Sequence, residues 1–83
     1  MISIRKGACY SNGSYGHNWG VRWVETLIDD PDLGTAVRFR GMAGRCRRQT
    51  GLCSLEAFQE WARYEVLLNE NSWQRVPDHA AEV

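Results

Sequence analysis

Ser54-Leu55-Glu56-Ala57-Phe58-Gln59-Glu60-Trp61-Ala62-Arg63-Tyr64-Glu65-Val66-Leu67-Leu68-Asn69 is the stretch whose reading decides the fold. Ser54 is a good N-cap and Glu56 complements the positive end of a helix, so the spacing predicts one long helix from Ser54 to about Asn69. At about 100° per residue, Leu55, Phe58, Ala62 and Val66 form one stripe, with Ala57, Trp61, Tyr64 and Leu68 beside it. Together the stripes cover roughly 200° of arc, wider than the ~100° that a surface helix needs to cover its sheet. One side can dock on a sheet and still leave apolar surface for the sheet edge or for a partner.

Upstream of this stretch the chain reads as strands. Ile2, Ile4, Ala8 and Tyr10 share one parity, the mark of a strand over Ile2–Tyr10. Ser11 to Asn18 is a loop by composition, and Asn12-Gly13 is a turn dipeptide because both residues tolerate positive φ. Trp19 to Ile28 is a second strand, rich in Val, Trp, Thr and Ile. Asp29 to Gly34 breaks it with Pro31 and a permissive glycine, and a third strand runs from Thr35 to about Arg40. Gly41-Met42-Ala43-Gly44 reads either as a turn into a fourth strand, Arg45 to Gln49, or as a bulge within one long strand; the turn is preferred. The expected fold class is therefore α+β. It is an antiparallel three- or four-stranded meander sheet with one long C-terminal helix packed on one face. Residues 1–76 form a single domain, with Trp73 tucked against its body, and 77–83 a frayed tail.

Eighty-three residues make one domain with a thin core. The 43% apolar and 24% charged fractions are those of a globular protein, so disorder is not expected. Formal net charge is zero, which argues against a surface tuned throughout to nucleic acid or to an acidic membrane. The charges are nevertheless segregated. Arg38, Arg40, Arg45, Arg47 and Arg48 occur with no acid among them, whereas six acids face two arginines from Gln49 onward. Three cysteines, with neither a signal peptide nor an apolar run long enough for a membrane span, lead to an expected cytoplasmic location with reduced thiols.

The arginine segment is the main candidate for a partner-binding surface. On a strand, Arg38 and Arg40 share a face about 7 Å apart, and a turn at Met42-Ala43 would bring Arg45 or Arg47 opposite them. Trp61 or Tyr64 supplies an aromatic anchor of the kind that dominates interfaces. The Ser11–Asn18 loop offers a weaker contact through Tyr15 and His17. The plain alternative is a solvated sheet face, partly neutralised by helix glutamates. Cys9, His17, Cys46 and Cys53 lack the short paired hooks of a zinc site, so neither metal nor cofactor is expected. His17 and His79 are the imidazoles, and no orienting group or oxyanion site adjoins a possible Cys9–His17 dyad. Asp29, Asp30 and Asp32 are turn chemistry rather than a calcium loop. An enzyme is not expected.

In its short length, its run of strands and its amphipathic Ser54-Leu55-Glu56-Ala57-Phe58-Gln59-Glu60-Trp61 helix, the chain resembles the small phage-encoded anti-CRISPR proteins. The resemblance is architectural and carries no residue roles. It implies a non-enzymatic inhibitor that binds a host CRISPR effector complex and occludes a surface of it, in the bacterial cytoplasm. The neutral charge departs from the acidic, DNA-mimicking members and favours capping of a protein surface. A nucleic-acid-binding protein using the same arginines, with Tyr10 or Tyr15 for stacking, is the second reading. Oligomeric state is not legible.

Overall fold

The computed structural model describes residues 2–76, so the expected frayed tail at 77–83, with His79, lies outside the described residues. Among the described residues the architecture is one six-stranded antiparallel sheet with a single short α-helix on one face. In chain order the elements are β1 (Cys9–Ser11), a 3-10 turn (Gly16–Asn18), β2 (Gly20–Asp30) and β3 (Gly34–Gly44). After these come β4 (Thr50–Ser54), α1 (Leu55–Trp61), β5 (Tyr64–Asn69) and β6 (Ser72–Arg75). Their order across the sheet is β4-β3-β2-β1-β5-β6.

The long C-terminal helix does not exist. Ser54 caps as its chemistry requires, its Oγ accepting from the Ala57 amide at 3.1 Å. The helix nonetheless stops at Trp61, after seven residues. Tyr64 to Asn69 forms a strand instead, because Tyr64, Val66 and Leu68 alternate as well as they recur at helical spacing. The free edge of β1 decides between the two periods: Ser11 pairs with Tyr64, Tyr10 with Glu65 and Cys9 with Val66. Glu70 and Asn71 then both take positive φ, 49° and 70°, in a tight turn that matches strand twist and returns the chain as β6.

The arginine segment also differs from expectation. Gly41 to Gly44 is not a turn; it continues β3, with a register irregularity opposite Val21 and Arg22 that leaves Met42 unpaired. The turn lies at residues 45–48, where a fourth strand was expected, and β4 starts at Thr50. At the N-terminus β1 is confined to Cys9–Ser11; Ile2 and Ile4 pack against the core from outside the sheet. The β2–β3 connection is turn chemistry, with Asp30 Oδ1 accepting from the amides of Asp32 and Leu33.

Helix α1 connects β4 to β5 across the sheet and packs on β3 and β4. Its one fully buried side chain, Phe58, sits at the centre of the core with Tyr10, Val24, Val37 and Phe39. Tyr10 meets Phe58 edge to face, with ring centroids 5.7 Å apart, an arrangement that adds about 0.5–1.5 kcal/mol to the burial itself. The buried Tyr10 hydroxyl is satisfied: it donates to the Ser3 carbonyl and accepts from the Arg5 amide, both at 3.0 Å. The helix therefore covers one face of the sheet, and the opposite face carries no second layer among the described residues.

Candidate functional site

Register assigns the arginines to faces. Phe39 pairs with Gly51 and Val24 on the core side, so Arg38 and Arg40, one residue either side of it, project from the open face. Both are exposed, and Arg40 stands level with Trp23 on β2. Arg45, Arg47 and Arg48 do not lie opposite them. They occupy a turn that curls onto the helix side of β3, and no single ridge contains all five.

The turn is held firmly. The Arg45 amide donates to the Trp19 carbonyl at 2.7 Å, Arg47 N–H to Gly44 and Gln49 N–H to Cys46. The Gly41 amide donates to the Gln49 carbonyl at 2.6 Å, which lays the turn back over the strand. Cys46 is buried against Gly20 and Gly41, and a Cβ at Gly41 would run into the Cys46 carbonyl. With Cys46 acting as a wedge, Arg45, Arg47 and Arg48 are all left exposed on its solvent side. Arg48 takes φ +67°, a conformation that costs a side-chain-bearing residue roughly 1 kcal/mol.

The same end of the sheet receives the Tyr15 and His17 loop. Arg45 Nη1 donates to Asn18 Oδ1 at 3.2 Å, and Gly44 packs directly against Trp19. Asn12 organises the loop base, its Nδ2 donating to the Asn18 carbonyl at 2.6 Å and its Oδ1 accepting from Gly20 N–H. Tyr15 is 92% exposed at the loop tip and His17 is exposed beside it. Arg63, just past α1, joins them through Gly13, whose Cα faces the Arg63 side chain.

The arginine turn and the Tyr15 loop come from segments of one sign: neither residues 1–24 nor residues 33–55 contain an acid. The stretch that brings Arg63 here, by contrast, also carries Glu60 and Glu65, the latter ion-paired with Arg5. Glu25, Asp29, Asp30 and Asp32 ride toward the far tip of the β2–β3 hairpin, about 15–35 Å along the strand from Gly20. That is well beyond the ~8–10 Å over which salt lets exposed charges interact. Arg38, Arg40, Arg45, Arg47 and Arg48 have no carboxylate partner among the described residues; the ion pair found there is Arg5–Glu65, at 2.7 Å.

Trp61 and Tyr64 do not join the arginine turn as exposed anchors. Trp61 is half-buried against Phe58 and covers the Arg22 guanidinium at 4.2 Å. Tyr64 is a β5 residue on the opposite face, under the Arg75 guanidinium at 4.7 Å. Sequence reading missed Arg22. Its guanidinium lies against both Trp61 and Phe39, 4.4 Å from the latter, and its buried Nε has no hydrogen-bond partner among the described residues. A lone arginine within a β pattern was the available signal, since its parity places it among core residues.

The three thiols stay apart: Cys9 lies on the open face, Cys46 under the turn and Cys53 on β4. Burial pushes Cys9 and Cys53 above the ordinary thiol range, away from the reactive thiolate. Among the described residues no group of three His, Cys, Asp or Glu side chains could hold a metal ion, and no helix is long and apolar enough to cross a membrane. No family model, no curated protein and no solved structure matches this chain at a significant level.

Proposed function

We propose that this protein is a non-enzymatic inhibitor that docks its arginine pole on an acidic surface of a nucleic-acid-handling complex in the cytoplasm, with a CRISPR effector as the target class. The supporting observation is that the turn carrying Arg45, Arg47 and Arg48 is tied through Arg45 and Asn18 to the loop that exposes Tyr15 and His17, both in segments that contain no acid. The wedged turn fixes where the three arginines leave the backbone, and their guanidinium groups offer planar forks to carboxylates. An exposed tyrosine beside them supplies the aromatic contact on which interfaces concentrate their energy. A compact cluster suits a localised acidic patch better than an extended polyanion, which calls for a groove that tracks a backbone.

The test is stoichiometric inhibition of target cleavage by purified CRISPR effectors. One equivalent of protein should suppress cleavage, and the Arg45→Glu/Arg47→Glu variant, folded as the parent, should not. Inhibition retained by that variant removes the pole from the mechanism.

Direct nucleic-acid binding is the second reading, favoured by the 92% exposure of Tyr15 in the loop tied to Arg45, an arginine without a carboxylate partner among the described residues. In that case a labelled single-stranded oligonucleotide binds with an affinity that falls by about 0.7 powers of salt concentration per phosphate contacted. No binding at low salt eliminates it.

A further inference from the structure

The open face of the sheet holds a second candidate site, remote in character from the arginine turn. A trough of about 560 Å³ runs along it, within the ~300–1,000 Å³ of small-ligand sites. Its floor is Cys9 and Val66, paired neighbours on β1 and β5. Trp23 and Met42 wall one side and Leu68 and Trp73 the other. The tryptophans stand on β2 and β6, three strand spacings or about 14 Å apart across the sheet, with Trp23 level with the Cys9–Val66 pair and Trp73, which pairs with Leu68, set two residues further along. Trp23 is fixed in orientation, its indole N–H donating to the Gly7 carbonyl at 3.2 Å.

The trough is asymmetric in charge. Arg5, Lys6 and Arg40 rim it, and the one acid that lines it among the described residues, Glu65, is already paired with Arg5. Among the described residues Lys6 and Arg40 have no carboxylate partner and stand over an apolar floor. Leu68 is 54% and Met42 42% exposed, more apolar surface than a half-solvated edge requires.

We propose that this trough binds an amphipathic organic anion, its flat or aliphatic body between Trp23 and Trp73 and its acid group on Arg40 and Lys6. Neither the arginine turn nor the Tyr15 loop lines it, so it stands or falls separately from the inhibitor function. Charge complementarity selects the class: a neutral apolar ligand leaves the rim cations unused, and a cation is repelled.

The probe is 1-anilinonaphthalene-8-sulfonate, with N-phenyl-1-naphthylamine, the same rings without the acid, as its control. Fluorescence titration should show one saturable sulfonate site per folded chain, with the neutral control bound at least about tenfold more weakly. Arg40→Gln and Leu68→Glu are exposed positions at which the fold survives, and each should weaken the sulfonate about tenfold or more. In a proton–nitrogen correlation spectrum the indole signals of Trp23 and Trp73 should shift, and those of Trp19 and Trp61 should not. Equal binding of the neutral control, indifference to both substitutions, or shifts centred on Trp19 or Trp61 would overturn the proposal. So would loss of the site as the protein dimerises with concentration, which would assign the face to a second copy.

Discussion

Arg45 donates from Nη1 to Asn18 Oδ1 and from its backbone amide to the Trp19 carbonyl, so one residue ties the arginine turn to the Tyr15 loop. The two contact segments are thereby a single body. Asn18→Ala removes the side-chain bond between exposed groups and should cost no more than about 0.5–1 kcal/mol of stability. Partner binding should weaken several-fold, because Arg45 and the loop then move independently. Unchanged affinity in a calorimetric titration would mean that the tie is irrelevant to docking.

Arg48 holds φ +67° at an exposed position. Arg48→Gly should leave stability unchanged or raise it by up to about 1 kcal/mol, whereas Arg48→Val should lower it by at least that much. If binding weakens in the glycine variant while its denaturant midpoint rises, the arginine is kept for contact at the expense of the fold. A midpoint that falls on going to glycine would argue against backbone strain here.

Gly41 has no room for a side chain beneath the Cys46 carbonyl. Gly41→Ala should displace the turn and destabilise by about 1–3 kcal/mol, read as a drop in urea midpoint with an unchanged slope. Wild-type stability would show that the turn yields easily and is not wedged.

Arg22 packs against two rings, yet its Nε has no acceptor among the described residues. Arg22→Ala, which empties the space against the rings, should cost about 1–2 kcal/mol. Arg22→Met refills it without a buried polar atom and should retain most of the parent stability. Thermal unfolding of both variants distinguishes packing from charge: equal losses would make the guanidinium itself the stabilising group.

Burial raises the Cys9 and Cys53 thiols above their ordinary 9.0 and the Tyr10 phenol above 10.0. All three are favoured in the neutral form by the folded state. Above about pH 9 the unfolded chain releases protons that the native protein still holds, so the slope of stability against pH is negative there. The stabilisation is fully present below the unfolded pKa values and is lost as pH climbs through them toward the raised folded ones. Urea midpoints should be flat near neutrality and decline above about pH 9, and a Cys9→Ala/Cys53→Ala variant should decline less. A midpoint that rises with alkali would contradict the sign.

Local chemistry was legible wherever it was self-contained. Ser54 caps a helix, Asp30 closes a turn and Asn12-Gly13 lies in a loop, because each depends on neighbours within a few residues. The segregation of charge was equally plain, since like charges close in sequence cannot be far apart in space. The run from Tyr64 to Leu68 was not decidable in that way. Its apolar residues satisfy both a 3.6 and a 2.0 period, and the choice fell to the unpaired edge of β1, more than fifty residues upstream.

The candidate surfaces divide along the same line. Composition alone determined that arginines without acids would produce a basic region, because no fold can bring neutralising carboxylates from within that segment. Tertiary structure decided that the region splits, with Arg38 and Arg40 on the open face and the 45–48 turn wedged by Cys46 toward the other. It also tied Arg45 to Asn18 in the Tyr15 loop and placed Trp23 and Trp73 on one face of the sheet, since both depend on the order of strands. Strand order is a property of long-range hydrogen bonding, and no window of neighbouring residues encodes it.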